Sequence, residues 1–429
     1  MTLPNKTDLQ TMDYSYGGVP FVYVTSKTDI NTDTLDYSFG GVPFFVAASE
    51  SIDSGPTGPK QIDLEPIPVT NNRKRKPLTV YDWKTRKRLA YLQNAYDVGF
   101  VQQTNSVWTG TFTLPYLDDK KQYCTPFNLV EMWDIDAGGG DKYIGLFRIM
   151  PQVEQLNKDT HDSVYTLEHV LSTLMDSSIV GYQVWGGIGY ENTQQVLNNI
   201  LSYQNEEKWV LVECDYTNQF LYEFEDQNLL SALLSVPKML TEDYYWEFNT
   251  QFFPWGLSLK KVSIIPVTDI RYKKNITGIR KRTDPRSICT RLYLYGKILE
   301  DGTKLNIKNL NNGLEYLDSI EGIANYGVIT SIINDDRFEN EQSLYYYGIA
   351  LLNKLSQPFV TYELDIQTIY NAANLKIGDV VRVITDDDLD QNLVVQEISK
   401  DDLTGTPNNG KIILGNGTTD IGIITKIFI

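Results

Sequence analysis

Histidine is nearly absent from this chain, with two in 429 residues. His161 and His169 stand eight positions apart with no cysteine or Glu-x-x-His beside them, so they lack the ligand spacing of a metal site. A nucleophilic serine or cysteine needs a base such as histidine, and the chain has neither a Gly-x-Ser-x-Gly nor a Cys-Gly-x-Cys motif. We therefore expect no catalytic residues, no metal, no cofactor and no enzymatic activity.

Cysteines and long apolar runs are also scarce. Cys124, Cys214 and Cys289 are far apart and odd in number, which indicates that there is no disulfide framework. The N-terminus lacks the charged and apolar regions of a signal peptide, and no apolar run approaches the roughly 18 residues of a membrane span. We expect a chain without a membrane anchor that folds in a reducing cytoplasm.

Cations are outnumbered by acids, 38 against 55, which gives a net charge of -17. Because phosphate binding needs a cationic surface, this balance argues against specific nucleic-acid binding. One basic cluster runs through residues 73–76 and 84–88. It either faces DNA or an acidic partner, or forms a solvated linker and strand edge where lysine blocks pairing with other sheets. The second interpretation is favoured.

Glycines and acids are plentiful, but their order does not match a known site. The glycine-rich stretches 138–140 and 186–189 are not followed by the Gly-Lys-Ser/Thr of a phosphate loop. The run 386–390 lacks the alternating acids of a calcium loop, so a solvated hairpin tip is expected. A glycosidase needs only two acids at the right distance, and among 55 acidic residues that pattern stays open.

Short strands dominate residues 78–150. Trp108, Gly110, Phe112 and Leu114 alternate with threonines, which is the period of a strand with one apolar face. Turn residues such as Asp, Thr-Pro and Gly-Gly-Gly separate the apolar pieces. This spacing predicts an antiparallel barrel or sandwich.

Residues 1–72 differ from the rest because they contain a duplication. The segment 11–22 recurs as 34–45, followed by a Gly, Pro and Ser-rich tether over 51–69. Each unit predicts a hairpin that is too small to fold alone in water, so its aromatic residues indicate docking onto a partner; a disordered tail is the alternative. The predicted docking residues are Tyr14, Tyr16, Val19, Pro20 and Phe21 in the first unit and Tyr37, Phe39, Val42, Pro43 and Phe44 in the second.

Helical periodicity appears in the middle of the chain. Four helices are expected, over residues 165–177, 194–203 with Asn192 or Thr193 as its cap, 227–234 with Asp226 as its cap, and 339–355. Strands are expected at 244–249 and 257–262. This part therefore reads as a mixed α/β region.

Several passages, in this order, resemble phage tail hub proteins. They are the Leu-x-Asn-Ala of 92–95, the Thr-x-x-Leu-Pro of 111–115, the Trp-Asp of 133–134, the Gly-x-Phe-x-Ile of 145–149, the Asn-Thr-x-x-Val-Leu-x-x-Ile-Leu of 192–201, the segments 288–296 and 312–318, and 375–384. The family includes the N-terminal region of tail-associated lysins, baseplate hubs and the type VI secretion spike protein. The resemblance covers about residues 77–429, without the duplication and without a C-terminal lysin module.

The expected fold class is α+β and multidomain: two barrel-like antiparallel β domains, a mixed α/β middle region and an extended N-terminal arm. The expected boundaries are 1–72 for the arm, 73–160 for the first β-barrel-like domain, 161–275 for the mixed domain, 276–361 for a connecting region, and 362–429 for the C-terminal β-barrel-like domain.

The resemblance implies a structural virion protein at the tail tip or baseplate of a bacteriophage, assembled in the cytoplasm of the bacterial host. It implies a homotrimeric ring that adapts a sixfold tail to a threefold tip, with tape measure or fibre proteins as further partners. Two docking units on each of three subunits would match a hexameric distal tail or tail tube protein. The alternative is a tail protein that binds or degrades cell-wall glycan through tryptophan platforms, namely Trp133, Trp185, Trp209, Trp246 and Trp255.

Overall fold

The computed structural model describes residues 77–417, apart from 136–139, 157–160, 188, 241, 272–277, 337, 368–374, 386–389 and 406–408, together with the pairs 23–24, 46–47 and 65–66. The chain divides into residues 1–63 and 64–429. In the first unit, β1 (Tyr23–Val24) pairs in parallel with β2 (Val46–Ala47). The duplicated segments 11–22 and 34–45 lie outside the described residues, so their hairpins stay a prediction.

The second unit begins with short strands, as the alternating pattern predicts. They are β3 (Glu65–Pro66), β4 (Leu78–Tyr81), β5 (Arg88–Tyr91), β6 (Tyr96–Gln103), β7 (Thr109–Pro115), β8 (Leu129–Asp134), β9 (Lys142–Leu156) and β10 (His161–His169). On β7, Phe112 and Leu114 are fully buried while Thr109 and Thr111 face solvent. A 3-10 helix, Asp119–Tyr123, precedes β8.

The helix expected over 165–177 is wrong. Residues up to His169 continue β10, where Tyr165 stacks on Phe112 at 4.7 Å between ring centroids, and a 3-10 helix, Val170–Asp176, follows. Leu167, Val170, Leu171 and Leu174 are all buried, as a helical face would require. The end of a strand followed by a short 3-10 helix produces the same spacing of buried apolar residues as one amphipathic helix. Periodicity in a short segment does not distinguish these two structures.

The middle of the chain contains β11 (Ser178–Gly186), α1 (Thr193–Leu201), β12 (Trp209–Cys214), β13 (Leu221–Asn228), α2 (Leu229–Ser235), β14 (Tyr244–Asn249), β15 (Phe252–Phe253) and β16 (Trp255–Lys261). Asn192 caps α1, as expected, in a reciprocal capping box with Gln195. The cap of α2 is Asn228 and not Asp226, which lies inside β13.

The last part contains β17 (Thr268–Arg271), β18 (Gly278–Asp284), β19 (Arg291–Tyr295), β20 (Tyr316–Asp318), α3 (Ile320–Tyr326), β21 (Thr330–Asn334), α4 (Glu341–Leu355), β22 (Phe359–Gln367), β23 (Val380–Ile384), β24 (Asp390–Lys400) and β25 (Asn409–Gly415). The long helix α4 matches the predicted 339–355 within two residues. Its cap is Asn340, whose side chain accepts from the Gln342 and Ser343 amides.

One sheet of 13 strands joins the early and late strand blocks. The junction is the antiparallel pairing of β24 with β6, where Lys400 lies opposite Phe100 and Glu397 opposite Gln103. Both blocks also share a hydrophobic core, which includes Leu78, Val80, Val98, Phe100, Phe112, Leu114 and Tyr165 from the early strands and Ile270, Leu364, Val383, Val395, Ile398 and Leu414 from the late ones. The chain is therefore predominantly antiparallel β, with fewer helices than the α+β expectation implies.

A second core fills the middle of the chain. It gathers helices α1, α2 and α4 against β12, β13, β16 and β19, through residues that include Val196, Ile200, Trp209, Tyr222, Phe224, Leu229, Leu233, Leu257, Leu294, Leu344 and Leu352. No helix in the described part of the chain combines the length and the apolar character that crossing a bilayer requires.

Candidate functional site

The ten predicted docking residues of the N-terminal duplication lie outside the described residues. Their role therefore stays a prediction, and the structure does not bring them together or separate them. A candidate site that can be built from described side chains lies elsewhere, in the second unit.

A cavity of about 440 Å³ opens where three segments meet: the start of β9, the end of β14 and the turn 375–377 before β23. Its apolar wall comes from Trp108, Tyr143, Ile144, Trp246, Phe248, Leu375 and Ile377, and its polar rim from Gln102, Asp141, Lys142, Glu247, Asn249, Thr250, Gln251 and Lys376. An aromatic wall with a polar rim can hold a chain segment or a small ligand by stacking and hydrogen bonding.

Lys142 fastens β9 to the late strand block. Its Nζ donates to the carbonyl of Leu375 at 2.7 Å. Burial lowers the pKa of this ammonium to about 8, while the nearby Asp134 carboxylate acts in the opposite direction. Asp134 itself is almost fully buried and pairs with Lys400 at 2.5 Å. Lys142 and Lys400 thus hold the early and late strand blocks together.

Tyr143 has a similar structural role on the other side of the rim. Its hydroxyl and the Thr250 hydroxyl share a hydrogen bond of 2.8 Å, which ties β9 to the end of β14. Burial raises the pKa of the Tyr143 phenol well above its ordinary value. The group therefore stays protonated at neutral pH and serves as a fixed polar contact.

His169 lies behind the cavity wall in an aromatic cluster. Its ring centroid is 4.8 Å from Trp108, 5.4 Å from Phe248 and 5.7 Å from Phe147. Its Nδ1 accepts from the Leu171 amide, which caps the following 3-10 helix. Complete burial lowers its pKa to about 3. This is a neutral core histidine, and it does not face the cavity as a base.

Over the described residues, no group of three or more His, Cys, Asp or Glu side chains is arranged to hold a metal ion. Four of the five tryptophans proposed as glycan platforms, Trp133, Trp209, Trp246 and Trp255, are buried. The fifth, Trp185, is half-buried against Phe224. These five indoles therefore do not form an exposed sugar-binding surface.

The cations at 84–88 are exposed, which agrees with both interpretations of the basic cluster. Lys84, Arg86, Lys87 and Arg88 are exposed, and the last belongs to β5 at one end of the large sheet. The Arg86 guanidinium lies 3.5 Å from the centroid of the Phe253 ring. The other half of the cluster, residues 73–76, lies outside the described residues.

The structure also exposes a basic strand that sequence reasoning missed. Arg280, Lys281 and Arg282 lie on β18, the strand at the other end of the large sheet. The signal is present in the sequence: residues 271–286 carry seven cations and a single acid, in a chain of net charge -17. A scan of local charge against the acidic background would have found it.

Comparisons with known proteins agree with this architecture. A family model described as Prophage endopeptidase tail matches residues 266–425. No curated protein matches the chain.

Three solved structures have a similar fold. The prophage tail protein gp18 of Listeria monocytogenes EGD-e is 16% identical, with a TM-score of 0.56 over 82% of this chain and 98% of that one. A tail protein of Neisseria meningitidis MC58 is 11% identical, with a TM-score of 0.57 over 79% and 96%. The 43 kDa tail protein of prophage MuSo2 from Shewanella oneidensis is 11% identical, with a TM-score of 0.53 over 79% and 97%. The predicted resemblance to phage tail proteins is thus confirmed, and the shared property is the fold.

Proposed function

We propose that this chain is a structural virion protein, the hub at the tip or baseplate of a phage tail or of a tail-like particle. The observation that carries the proposal is the extent of the fold match, which takes in 96–98% of three tail proteins, two of them from prophages. A match over nearly their whole length indicates that this chain has the complete scaffold of those proteins. The role we propose is mechanical and not enzymatic.

The proposed assembly is a homotrimeric ring. In this arrangement the two strand blocks of each subunit act as two barrel-like β domains, so that three subunits present six similar modules to a sixfold tail. The shared sheet supports this proposal, because the β24–β6 junction and the Asp134–Lys400 pair hold the two blocks in one fixed relation. A rigid pair of modules is what a symmetric ring needs at its interfaces.

Attachment to the tail is assigned to the N-terminal duplication. Two docking units on each of three arms would occupy six sites on a hexameric distal tail or tail tube protein. The eleven residues 23–33 between the units span at most about 36 Å when extended, which is enough to reach neighbouring sites on a ring. Tape measure and fibre proteins are the further partners that we propose at the tip.

The mass of the purified chain in solution tests the ring. Light scattering across a concentration range should give about three times the chain mass of 49.0 kDa. A mass that stays at one chain at every concentration would contradict the trimer.

Deletion of residues 34–45 tests the docking units. The shortened chain should keep the thermal unfolding curve and the solution mass of the full chain, because the deleted residues lie outside the described second unit. It should bind the hexameric ring more weakly, since each trimer would then engage three sites where the full chain engages six. Unchanged ring binding would rule out the second unit as a docking site.

The alternative function, binding or cleavage of cell-wall glycan, has a direct assay. Glycan pull-down and release of reducing ends by the purified chain measure binding and cleavage separately. We expect neither, because the indoles proposed as platforms are buried or half-buried.

A further inference from the structure

The strand β18 forms an open edge of the large sheet. It pairs only with β22 among the described strands, so its other side presents backbone groups without a sheet partner. Its cations are strongly exposed: the side chains of Arg280 and Arg282 are 79% and 73% accessible. Arg280 makes one long contact, of 3.4 Å, with Glu363. The strand therefore combines an unused edge with a concentrated positive charge.

A second feature of the opposite character lies on the β11–β13 ribbon. This two-stranded sheet buries Tyr222 and Phe224 on one face. Its outer face carries two cross-strand pairs, Tyr182 opposite Glu225 and Val184 opposite Glu223. We call this set the acidic face. Both acids are exposed, and the accessible fractions of Tyr182 and Val184 are 57% and 43%.

The acidic face has the composition of a binding surface. Val180, on the same strand, is 77% exposed, so the apolar side chains continue along β11. A tyrosine and valines flanked by carboxylates match the aromatic centre and polar rim of protein interfaces. Arginine is the natural complement, since a guanidinium can bind a carboxylate with two hydrogen bonds and stack on a tyrosine ring.

We infer that β18 of one copy docks on the acidic face of the next copy, with Arg280 and Arg282 facing Glu223 and Glu225, and that this contact closes the ring. The inference rests on the proposed trimer and names the surfaces that form it. A contact between two different patches is head-to-tail, which is the arrangement that generates closed rings.

Electrostatics makes this placement of cations informative. Three copies of a chain with net charge -17 repel one another, so association needs local attraction at the contact. Arg280, Lys281 and Arg282 on β18 supply that attraction where an edge is open. The competing explanation is that charged residues on an edge strand simply prevent aggregation. In that case the cations would have no partner on another copy, and reversing them would leave the assembly unchanged.

The test uses three charge variants of the full chain. The first is Arg280→Glu with Arg282→Glu, the second is Glu223→Lys with Glu225→Lys, and the third combines all four changes. A control, Lys84→Glu with Lys87→Glu, reverses two exposed cations in the turn before β5, at the far end of the sheet. All the changed side chains are exposed, so each variant should fold, and circular dichroism checks this.

Association is measured by analytical ultracentrifugation at about 0.1 M salt, where the charges at the contact are only partly screened. The first and second variants should each raise the dissociation constant of every subunit contact by roughly 100-fold, at about tenfold per charge pair. The third should return it to within roughly tenfold of the parent chain, because every contact is again between opposite charges. The control should behave as the parent chain does.

Mixing the first and second variants in equal amounts adds a geometric check. Opposite charges can then face each other only between unlike subunits, and a ring of three cannot alternate two kinds of subunit. The mixture should therefore give open pairs and few closed trimers.

Each other result separates the inference from the proposed function. If the parent chain is trimeric and both double-reversal variants stay trimeric as well, the β18 contact is overturned and the hub proposal stands. Dissociation that the fourfold variant does not repair also overturns the contact, since the two patches would then not face each other. If the Arg280→Glu and Arg282→Glu changes leave the trimer intact but reduce retention of the chain on a DNA column, the basic strand binds nucleic acid instead. A parent chain that stays monomeric overturns both the contact and the trimer.

Discussion

Acidification should destabilise this protein through one side chain, His169. The ring is fully buried, and its Nδ1 accepts from the Leu171 amide, so the proton of the neutral ring is on Nε2. A second proton would have to go on Nδ1, which would break that hydrogen bond and place a charge among Trp108, Phe147 and Phe248. Folding therefore requires the neutral form.

The size of the effect follows from the two pKa values. Folding lowers the pKa of His169 from 6.5 to about 3 because burial penalises the charged form. Above pH 6.5 the ring is neutral in both states, and its contribution to stability is fully present. As the pH falls below 6.5 the unfolded chain takes up a proton that the folded chain cannot. Between about pH 7.5 and about pH 5 the free energy of unfolding should fall by about 2 kcal/mol from this residue alone.

Urea unfolding at those two pH values measures the effect, with two variants for comparison. His169→Asn keeps an oxygen that can accept from the Leu171 amide, and His169→Phe keeps an aromatic ring in the cluster. Each should be less stable than the parent at about pH 7.5 but should lose about 2 kcal/mol less on acidification. The control His161→Asn leaves His169 in place and should retain the full pH dependence. If both His169 variants lost as much stability as the parent between about pH 7.5 and about pH 5, the assignment of the pH dependence to His169 would be wrong.

Two further substitutions probe the packing and the junction between blocks. A Gly→Ala substitution normally stabilises a helix by about 1 kcal/mol. In Gly348→Ala, however, the new Cβ on α4 would lie 2.0 Å from Leu294 Cδ1 in the core, so we expect the free energy of unfolding to fall by about 1–3 kcal/mol in thermal or urea unfolding. A gain in stability would show that the Leu294 side chain moves aside freely. Asp134→Asn removes the buried charge that faces Lys400 and should lower the free energy of unfolding by about 3 kcal/mol. The matched change Asp390→Asn, in the exposed pair with Arg382, should lower it by less than about 1 kcal/mol. Equal losses of stability would mean that burial does not strengthen the Asp134–Lys400 pair.

The sequence predicts individual strands better than it predicts how they join. The alternation in 109–115 correctly predicts β7, because one face of that strand is buried. Asn192 and the periodicity after it correctly predict α1. The helix expected at 165–177 is wrong, since four buried apolar residues at helical spacing are shared between a strand and a 3-10 helix. The pairing of β24 with β6 leaves no local signal, because it depends on residues from distant parts of the chain.

The candidate surfaces follow the same division. The sequence argued against a metal site at the histidines, but it did not predict that His169 is buried in an aromatic cluster. The cavity was not predicted, since its wall combines residues from β9, β14 and the turn 375–377. The basic strand was detectable in the sequence, but its exposure at an open edge follows only from the sheet order.

The junction between the strand blocks also sets a schedule for synthesis. Gln103 on β6 and its neighbour Glu397 on β24 are 294 residues apart in the chain. At about 5–20 residues per second, translation separates them by roughly 15–60 s. During that time the early strands have been synthesised but their apolar face is not yet covered, since Val395, Ile398 and Leu414 of the shared core have not been synthesised. Each subunit thus passes through a stage in which a chaperone or a neighbouring chain can reach its core, and only a chain synthesised through β25 can close it.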